Sequence, residues 1–190
     1  VWYTARGHGS STGWEDLGLE QFLWPSLASD MQAVAGHFSM ARFVAAGNSM
    51  GAATAICAAL QQPDRVAALI IYRPPTIWAT RQARRASLVS MAESLKAQHP
   101  HGWPYYAAIR GAAEANLPPP TDEVWSGLRL TPTLILCHGE DEVHPISSGT
   151  ALTEVLPHAQ LEVASNEASA ERTFPPIVSR WLRRVVLEQG

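Results

Sequence analysis

One stretch, Arg42–Leu60 (RFVAAGNSMGAATAICAAL), limits the fold more than any other part of the chain. A short apolar run, Phe43–Ala46, leads into the five residues Gly47–Gly51, and an alanine-rich apolar stretch then continues until shortly before Pro63. This order predicts a buried strand, a tight turn and a helix. The turn has the pattern G-x-S-x-G, which is typical of a nucleophile elbow.

Ser49 occupies the centre of this turn. In an elbow the serine backbone is strained and crowded by neighbouring strands, so side chains at Gly47 and Gly51 are predicted to clash. The turn is expected to raise Ser49 Oγ above the edge of the sheet. It is also expected to direct the N–H of Met50 and the positive end of the following helix at one point, where a developing oxyanion is stabilised.

The composition indicates an ordinary globular protein. The chain has 190 residues, 46% of them hydrophobic and 16% charged, with a formal net charge of −3, which suits one domain. This balance gives no reason to expect nucleic acid or an anionic membrane as a partner. No apolar run approaches the roughly 18 residues of a membrane span and there is no signal-peptide pattern, so a cytoplasmic location is expected. The two cysteines, Cys57 and Cys137, look like small core residues, and no spacing predicts a metal or an organic cofactor.

Apolar periodicity predicts further strands that alternate with helices. Such an alternation is typical of a parallel sheet covered by helices on both faces. Ser147 or Ser148 is expected to cap one of these helices. The predicted strands are Val1–Thr4, Val66–Tyr72, Thr133–Cys137 and Ala159–Ala164, and the predicted helices are Trp24–Phe38, Ser147–Leu156 and Glu171–Leu187.

The region 76–130 differs in character from the rest of the chain. It is rich in aromatic residues and contains a proline break at Pro118–Pro120, and we interpret it as two or three helices inserted between strands. The aromatic side chains either form a local core or line a binding pocket. They are Trp78, Trp103, Tyr105, Tyr106 and Trp125.

Several stretches taken together resemble the α/β-hydrolase superfamily. They are Arg6–Ser11, Asp30, Gly47–Gly51, Pro63–Val66 and Gly139–Pro145, and they follow the superfamily's order over nearly the whole chain. The resemblance implies a mostly parallel α/β sheet flanked by helices. It also implies a core made of residues 1–75 and 131–190, with a helical cap inserted at about residues 76–130.

The resemblance assigns expected roles to single residues. Ser49 matches the nucleophile and Asp141 the acid. Glu140 and Glu142 are rivals for the acid, because the loop after Gly139 looks one residue short. Oxyanion and substrate contacts are expected from Met50, Trp78, Trp103 and Tyr105.

The sequence departs from the superfamily at the catalytic histidine. In the superfamily that residue follows the last strand, but Leu161–Phe174 contains no histidine, and Asn166 and Glu167 stand at about the expected place. A serine hydroxyl is a weak nucleophile that needs a base within hydrogen-bond reach. His144, on the acid loop, is the best substitute, and Glu167 acting directly on Ser49 is the alternative.

A second departure concerns the sheet. The chain begins at what looks like the superfamily's fourth strand, so the first three strands, and the loop that supplies a second oxyanion donor, are missing from the pattern. Unpaired strand edges would result. Three explanations stay open: the sequence is a piece of a longer chain, a partner donates the strands, or Val1–Thr4 pairs with Phe43–Ala46 and leaves an edge that favours a homo-oligomer.

The sequence therefore predicts a serine hydrolase of the α/β-hydrolase type. The expected substrate is an ester, thioester or lactone of a small apolar molecule. The alternative is a degenerate fold of this type that binds a small molecule or a partner, or that performs lyase, isomerase or cyclase chemistry without an acyl-enzyme. The fold does not choose between these functions.

Overall fold

The structure of the chain is a computed structural model that describes residues 1–11, 17–98 and 106–189. Its strands are β1 (Phe43–Asn48), β2 (Val66–Tyr72), β3 (Thr133–His138) and β4 (Ala159–Ala164). Its α-helices are α1 (Trp24–His37), α2 (Met50–Gln61), α3 (Trp78–Ala97), α4 (Tyr106–Glu114), α5 (Asp122–Trp125), α6 (Ile146–Val155) and α7 (Glu167–Gln189), and Leu19–Phe22 and Ser126–Leu128 form 3-10 turns.

Within the described residues, the strands form one parallel sheet in the order β1-β2-β3-β4. Its register aligns Ile71 with Gly47 on one side and with Ile135 on the other. Because all strands run the same way, the loops that follow them meet at one edge of the sheet. This arrangement confirms the predicted α/β class, a parallel sheet flanked by helices.

Apolar strands and small helix residues explain how this sheet is covered. All six residues of β3 are buried, as expected for a central strand. Gly149 of α6 approaches Cys137 so closely that an added Cβ would lie 2.6 Å from its sulfur. On the opposite face, Phe174 and Trp181 of α7 pack in one cluster with Leu134 of β3. Alternate residues of β3 therefore pack against helices on opposite faces of the sheet.

The predicted strand at Val1–Thr4 is wrong, because the described chain is irregular there and does not pair with β1. Local polar contacts hold this segment instead. Ser11 Oγ donates a hydrogen bond to the Thr4 carbonyl over 2.7 Å, and the Arg6 guanidinium forms an ion pair with Asp30. The described sheet therefore lacks the superfamily's early strands, and the origin of such strands stays a prediction.

Two helix starts also differ from the predictions. Helix α6 begins at Ile146 after Pro145, whose fixed φ already suits the start of a helix, so neither Ser147 nor Ser148 is the cap. Helix α7 begins at Glu167, four residues earlier than predicted. Asn166 Oδ1 accepts a 2.9 Å hydrogen bond from the N–H of Ser169, which caps the free end of α7.

The chain divides into two compact units. The first contains Val1–Ser39 and Ile77–Pro118, and the second contains Met40–Thr76 and Pro119–Gly190 and holds the sheet. In the first unit, Arg81 lies over the Trp24 ring and donates to the carbonyl of Ala115, beyond the end of α4. The cap boundaries expected from the sequence stay a prediction. None of the described helices is both long and apolar enough to cross a membrane.

Candidate active site

The turn between β1 and α2 has the strained geometry of an elbow. Ser49 lies in the left-handed region, with φ 55° and ψ −116°, where a residue with a side chain is uncommon. Its N–H donates to the Tyr72 carbonyl over 3.0 Å, which ties the turn to β2. A Cβ at Gly47 would lie 2.1 Å from the carbonyl group of Gly51, so a side chain is excluded there.

The same prediction for Gly51 is wrong. A Cβ at Gly51 would meet no described atom within 4 Å outside its own helix. The close approach occurs where the end of β1 faces the first turn of α2, and it is the Cβ direction of Gly47, not that of Gly51, that points into it.

Helix α2 presents free amide groups beside Ser49. The helix begins at Met50, and the Ser49 carbonyl accepts hydrogen bonds from the N–H groups of Ala52 and Ala53. The N–H of Met50 precedes this ladder, so helix geometry gives it no intrahelical acceptor. The positive end of the α2 dipole therefore lies next to the serine.

Three side chains from two loops form a continuous hydrogen-bonded series. Ser49 Oγ lies 2.7 Å from His144 Nε2. The other ring nitrogen, His144 Nδ1, lies 3.0 Å from Asp141 Oδ2 and 3.2 Å from Asp141 Oδ1. This is the spatial order of nucleophile, base and acid that a serine triad needs. His144 reaches Ser49 although it follows β3 and not the last strand.

The side chain of Asp141 is buried, and both of its carboxylate oxygens accept hydrogen bonds. Only 5% of its side chain is exposed. Its Oδ1 accepts from the backbone N–H groups of Val143 at 3.1 Å and His144 at 2.9 Å. Its Oδ2 accepts from Arg73 Nε at 2.7 Å. The carboxylate is therefore held from its own loop and from the end of β2.

These contacts set the protonation states of the pair. Burial raises the pKa of Asp141, but hydrogen bonds from the His144 N–H, from Arg73 and from the His144 ring outweigh it and hold that pKa at about 2. Burial lowers the pKa of His144, and the positive charge of Arg73 acts in the same direction, against the opposing effect of Asp141. His144 is consequently neutral at neutral pH. Because ionised Asp141 can only accept, the ring hydrogen is on Nδ1 and Nε2 is free to take a proton from Ser49.

A second histidine lies on the other side of the acid. The His138 side chain is buried, and its Nδ1 lies 2.7 Å from the Gly139 carbonyl, which fixes that nitrogen as a donor. Its Nε2 lies 3.7 Å from Asp141 Oδ2 and has no hydrogen-bond partner among the described residues. His138 thus faces the Asp141 carboxylate, and the histidine that contacts Ser49 is His144.

The other acidic candidates have different surroundings. Asp141 contacts the ring of His144, and the other two candidates are Glu140 and Glu142. Both glutamates line a cleft of about 440 Å³ together with Arg73 and Glu167. Glu167, the alternative base, is mostly exposed, and its Oε1 lies 3.5 Å from Arg73 Nη1. Its contact in the structure is therefore with a cation.

The aromatic residues that the sequence predicts as substrate contacts are not among the side chains of this hydrogen-bonded series. Trp78 belongs to the first unit, where its Nε1 donates to the Pro118 carbonyl at 2.8 Å and its N–H donates to Asn116 Oδ1 at 2.7 Å. Trp103 and Tyr105 lie outside the described residues. Among residues 1–11, 17–98 and 106–189, no group of three or more His, Cys, Asp or Glu is arranged to hold a metal ion.

Arg73 is the site residue that the sequence interpretation missed. It directly follows the predicted strand Val66–Tyr72, and no role was assigned to it. A signal was present, because a charged residue at the carboxyl end of a parallel strand lies at the edge where such sheets place their sites.

A parallel α/β sheet with a serine on a strained strand-to-helix turn defines a class of protein, and comparison with known families agrees with it. The sequence model of a family described as alpha/beta hydrolase fold matches residues 4–116, which is more than half of the chain. The chain therefore belongs to the α/β-hydrolase fold family. No curated protein sequence matches it.

Solved structures show the same fold. The chain is similar to a thermophilic esterase from Thermogutta terrifontis, with a TM-score of 0.70 and 20% identity over 95% of this chain and 78% of that one. It is also similar to the enol-lactonase from Burkholderia xenovorans LB400, with a TM-score of 0.66 and 15% identity over 96% and 78%. A third similar structure is the α/β-hydrolase enzyme MGS-M2 from a Medee basin deep-sea metagenome, with a TM-score of 0.71 and 14% identity over 96% and 77%.

Proposed function

We propose that the protein is a serine hydrolase in which Ser49, His144 and Asp141 form the catalytic triad. The observation that carries this proposal is the unbroken series of contacts, 2.7 Å from Ser49 Oγ to His144 Nε2 and 3.0 Å from His144 Nδ1 to Asp141 Oδ2. Nucleophile, base and acid are recognised by such geometry and not by their places in the sequence.

The first half-reaction forms an acyl-enzyme. Ser49 Oγ attacks the carbonyl carbon of the substrate as His144 Nε2 takes the hydroxyl proton, and the imidazolium is stabilised by Asp141. The negative charge that develops on the carbonyl oxygen is received by the N–H of Met50 at the positive end of α2. Collapse of the intermediate breaks the bond to the leaving oxygen or sulfur, which takes the proton from His144.

The second half-reaction restores the enzyme. Water enters, His144 removes one of its protons, and the hydroxide attacks the acyl carbon. The bond to Ser49 Oγ then breaks, and His144 returns the proton to the serine. A carboxylic acid leaves.

The substrate class is an ester, thioester or lactone of a small apolar molecule. The similar solved structures include an esterase and an enol-lactonase, which supports this proposal. Aromatic side chains at Trp78, Trp103 and Tyr105 are proposed to contact the apolar part of the substrate. Such pockets use apolar walls with a few polar groups to orient the reacting bond.

A panel of p-nitrophenyl acetate, a short acyl thioester and a butyrolactone tests this proposal. Ser49→Ala is expected to lower turnover by roughly a thousandfold or more, because the residual rate comes from binding and the oxyanion site alone. Ser147→Ala, an exposed serine of α6, is the matched control and is expected to retain wild-type turnover. Equal turnover by Ser49→Ala and wild type would contradict the serine mechanism.

A further inference from the structure

The acid of the proposed triad is held by a cation from a neighbouring strand. Arg73 directly follows β2, and its N–H continues the ladder to β3 by donating to the Leu136 carbonyl over 2.9 Å. Its side chain then reaches across to the loop after β3, where Nε donates to Asp141 Oδ2 over 2.7 Å. Arg73 adopts a left-handed backbone with φ 49°, a strained conformation that is typical of functional positions.

The backbone of the loop that carries Asp141 donates hydrogen bonds to only one of the two carboxylate oxygens. Its backbone N–H groups, those of Val143 and His144, both bind Oδ1. Two donors on one oxygen still allow the carboxylate plane to rotate. Arg73 binds Oδ2, and this second point fixes the plane so that both oxygens lie within 3.2 Å of His144 Nδ1.

We propose that Arg73 is a positioning residue, which orients Asp141 toward His144. Its positive charge also favours the neutral form of the His144 ring. This inference rests on the proposed function, in which His144 must be neutral to accept the serine proton. Arg73 touches neither Ser49 nor the carbonyl of a substrate in this scheme. It acts through the acid.

Charged groups from three elements surround the base and its partners. Asp141 and His138 face His144 from β3 and the loop that follows it, and Arg73 faces it from the end of β2. Glu167 of α7 and the ring of Tyr72 of β2 lie against Arg73 in turn, and Glu171 of α7 faces Tyr72. Arg73 is the permanent cation of this set and lowers the pKa of His144, so a neutral residue at position 73 should make His144 easier to protonate.

The two carboxylates bound by Arg73 are unequal, which supplies a control. Asp141 is 2.7 Å away and has 5% of its side chain exposed, whereas Glu167 is 3.5 Å away and has 64% exposed. An exposed pair at the longer distance contributes little. Glu167→Gln removes that contact and leaves the one with Asp141 in place.

The test compares wild type with Arg73→Met, Arg73→Lys, Glu167→Gln and the exposed control Arg129→Met. The first readout is the titration midpoint of His144 by NMR, assigned with His144→Gln, which needs no activity. The second is the pH dependence of labelling by a fluorophosphonate. Arg73→Met is expected to raise the His144 midpoint by about one pH unit. It should therefore slow labelling about tenfold on the acid limb, where only the neutral base reacts.

The remaining variants separate charge from geometry. Arg73→Lys keeps the charge but loses the planar fork, so its midpoint should stay near that of wild type while labelling at high pH falls severalfold. Glu167→Gln and Arg129→Met should match wild type in both readouts. Should Arg73→Met fail to fold, Arg73→Lys decides alone, and wild-type labelling by it would overturn the proposal.

An unchanged His144 midpoint in folded Arg73→Met would overturn this inference, whatever the labelling shows. Failure of the proposed function has a different signature. It would appear as a wild-type protein that does not react at Ser49 at any pH, while the midpoint of His144 still moves with Arg73→Met.

Discussion

Two loops at the same edge of the sheet contribute differently to the candidate site. The loop after β3 carries both Asp141, the proposed acid, and the histidine that contacts Ser49. The loop after β4, where the superfamily resemblance leads one to expect the histidine, carries Asn166, which caps α7, and Glu167, which faces Arg73. A base is therefore defined by its reach to the serine oxygen, and parallel strands offer more than one loop from which that point can be reached.

Spacing explains how one loop holds both groups. His144 lies three positions after Asp141, and Asp141 Oδ1 accepts from the N–H groups of both Val143 and His144. This tight turn brings Nδ1 of the imidazole back onto the carboxylate while Nε2 points away to Ser49. The cost of the arrangement is that the loop itself satisfies only one carboxylate oxygen, and Arg73 satisfies the other.

The largest effect is expected from a substitution of Asp141, the proposed acid, in the loop after β3. Asp141→Asn keeps the shape but presents an N–H or a weak acceptor to His144, so the ring loses the tautomer that it needs. Ester turnover should fall by about a thousandfold to ten-thousandfold. Glu140→Gln and Glu142→Gln are the matched controls, with expected changes within about twofold. A comparable loss in either control would assign the acid to that glutamate.

A smaller effect is expected where the two loops touch. Gly139 donates its N–H to the Ala164 carbonyl over 2.9 Å, and a Cβ on it would lie 2.4 Å from the Ser165 carbonyl oxygen. Gly139→Ala must therefore push the loops apart, and urea unfolding should show a loss of about 1–3 kcal/mol. A Cβ added at Gly36, in α1, would meet no atom within 4 Å. Gly36→Ala should therefore leave the free energy of unfolding unchanged or raise it by up to about 1 kcal/mol. Equal stability of Gly139→Ala and wild type would show that the loops do not constrain one another.

The smallest effect concerns acid stability. The pKa of His144 is lowered from 6.5 in the folded state, so the unfolded chain binds the proton first, and this residue makes stability fall as the pH drops below about 6.5. Asp141, with a folded pKa of about 2, adds a further loss only between about pH 4 and 2. Thermal unfolding at pH 7.5 and 5.5 should show a smaller fall for His144→Gln than for wild type. An equal or larger fall in the variant would contradict the lowered pKa.

The sequence predicted the fold well where the signal is local. The strands Val66–Tyr72 and Ala159–Ala164 have their predicted bounds, because short apolar runs between turn residues define buried strands. The elbow at Ser49 was predicted for the same reason. Val1–Thr4 was not, since a β-rich composition does not supply a partner for pairing.

The site was predictable only in part. Ser49 and Asp141 follow from motifs, but the contact between Ser49 and His144 joins residues 95 positions apart and depends on the register of the sheet. Arg73 was missed because its role depends on a contact with Asp141, which follows the neighbouring strand and is 68 positions away in the chain. Such contacts become visible only when the strand order is known.

The most direct test of the account is the intact mass of the protein after reaction with a fluorophosphonate. Wild type and His158→Gln, a control at an exposed histidine, should each gain one adduct that maps to Ser49. His144→Gln, folded by circular dichroism, should label at least about a thousandfold more slowly. Wild-type labelling of Ser49 in His144→Gln would show that another group is the base, and would contradict the triad proposed for this chain.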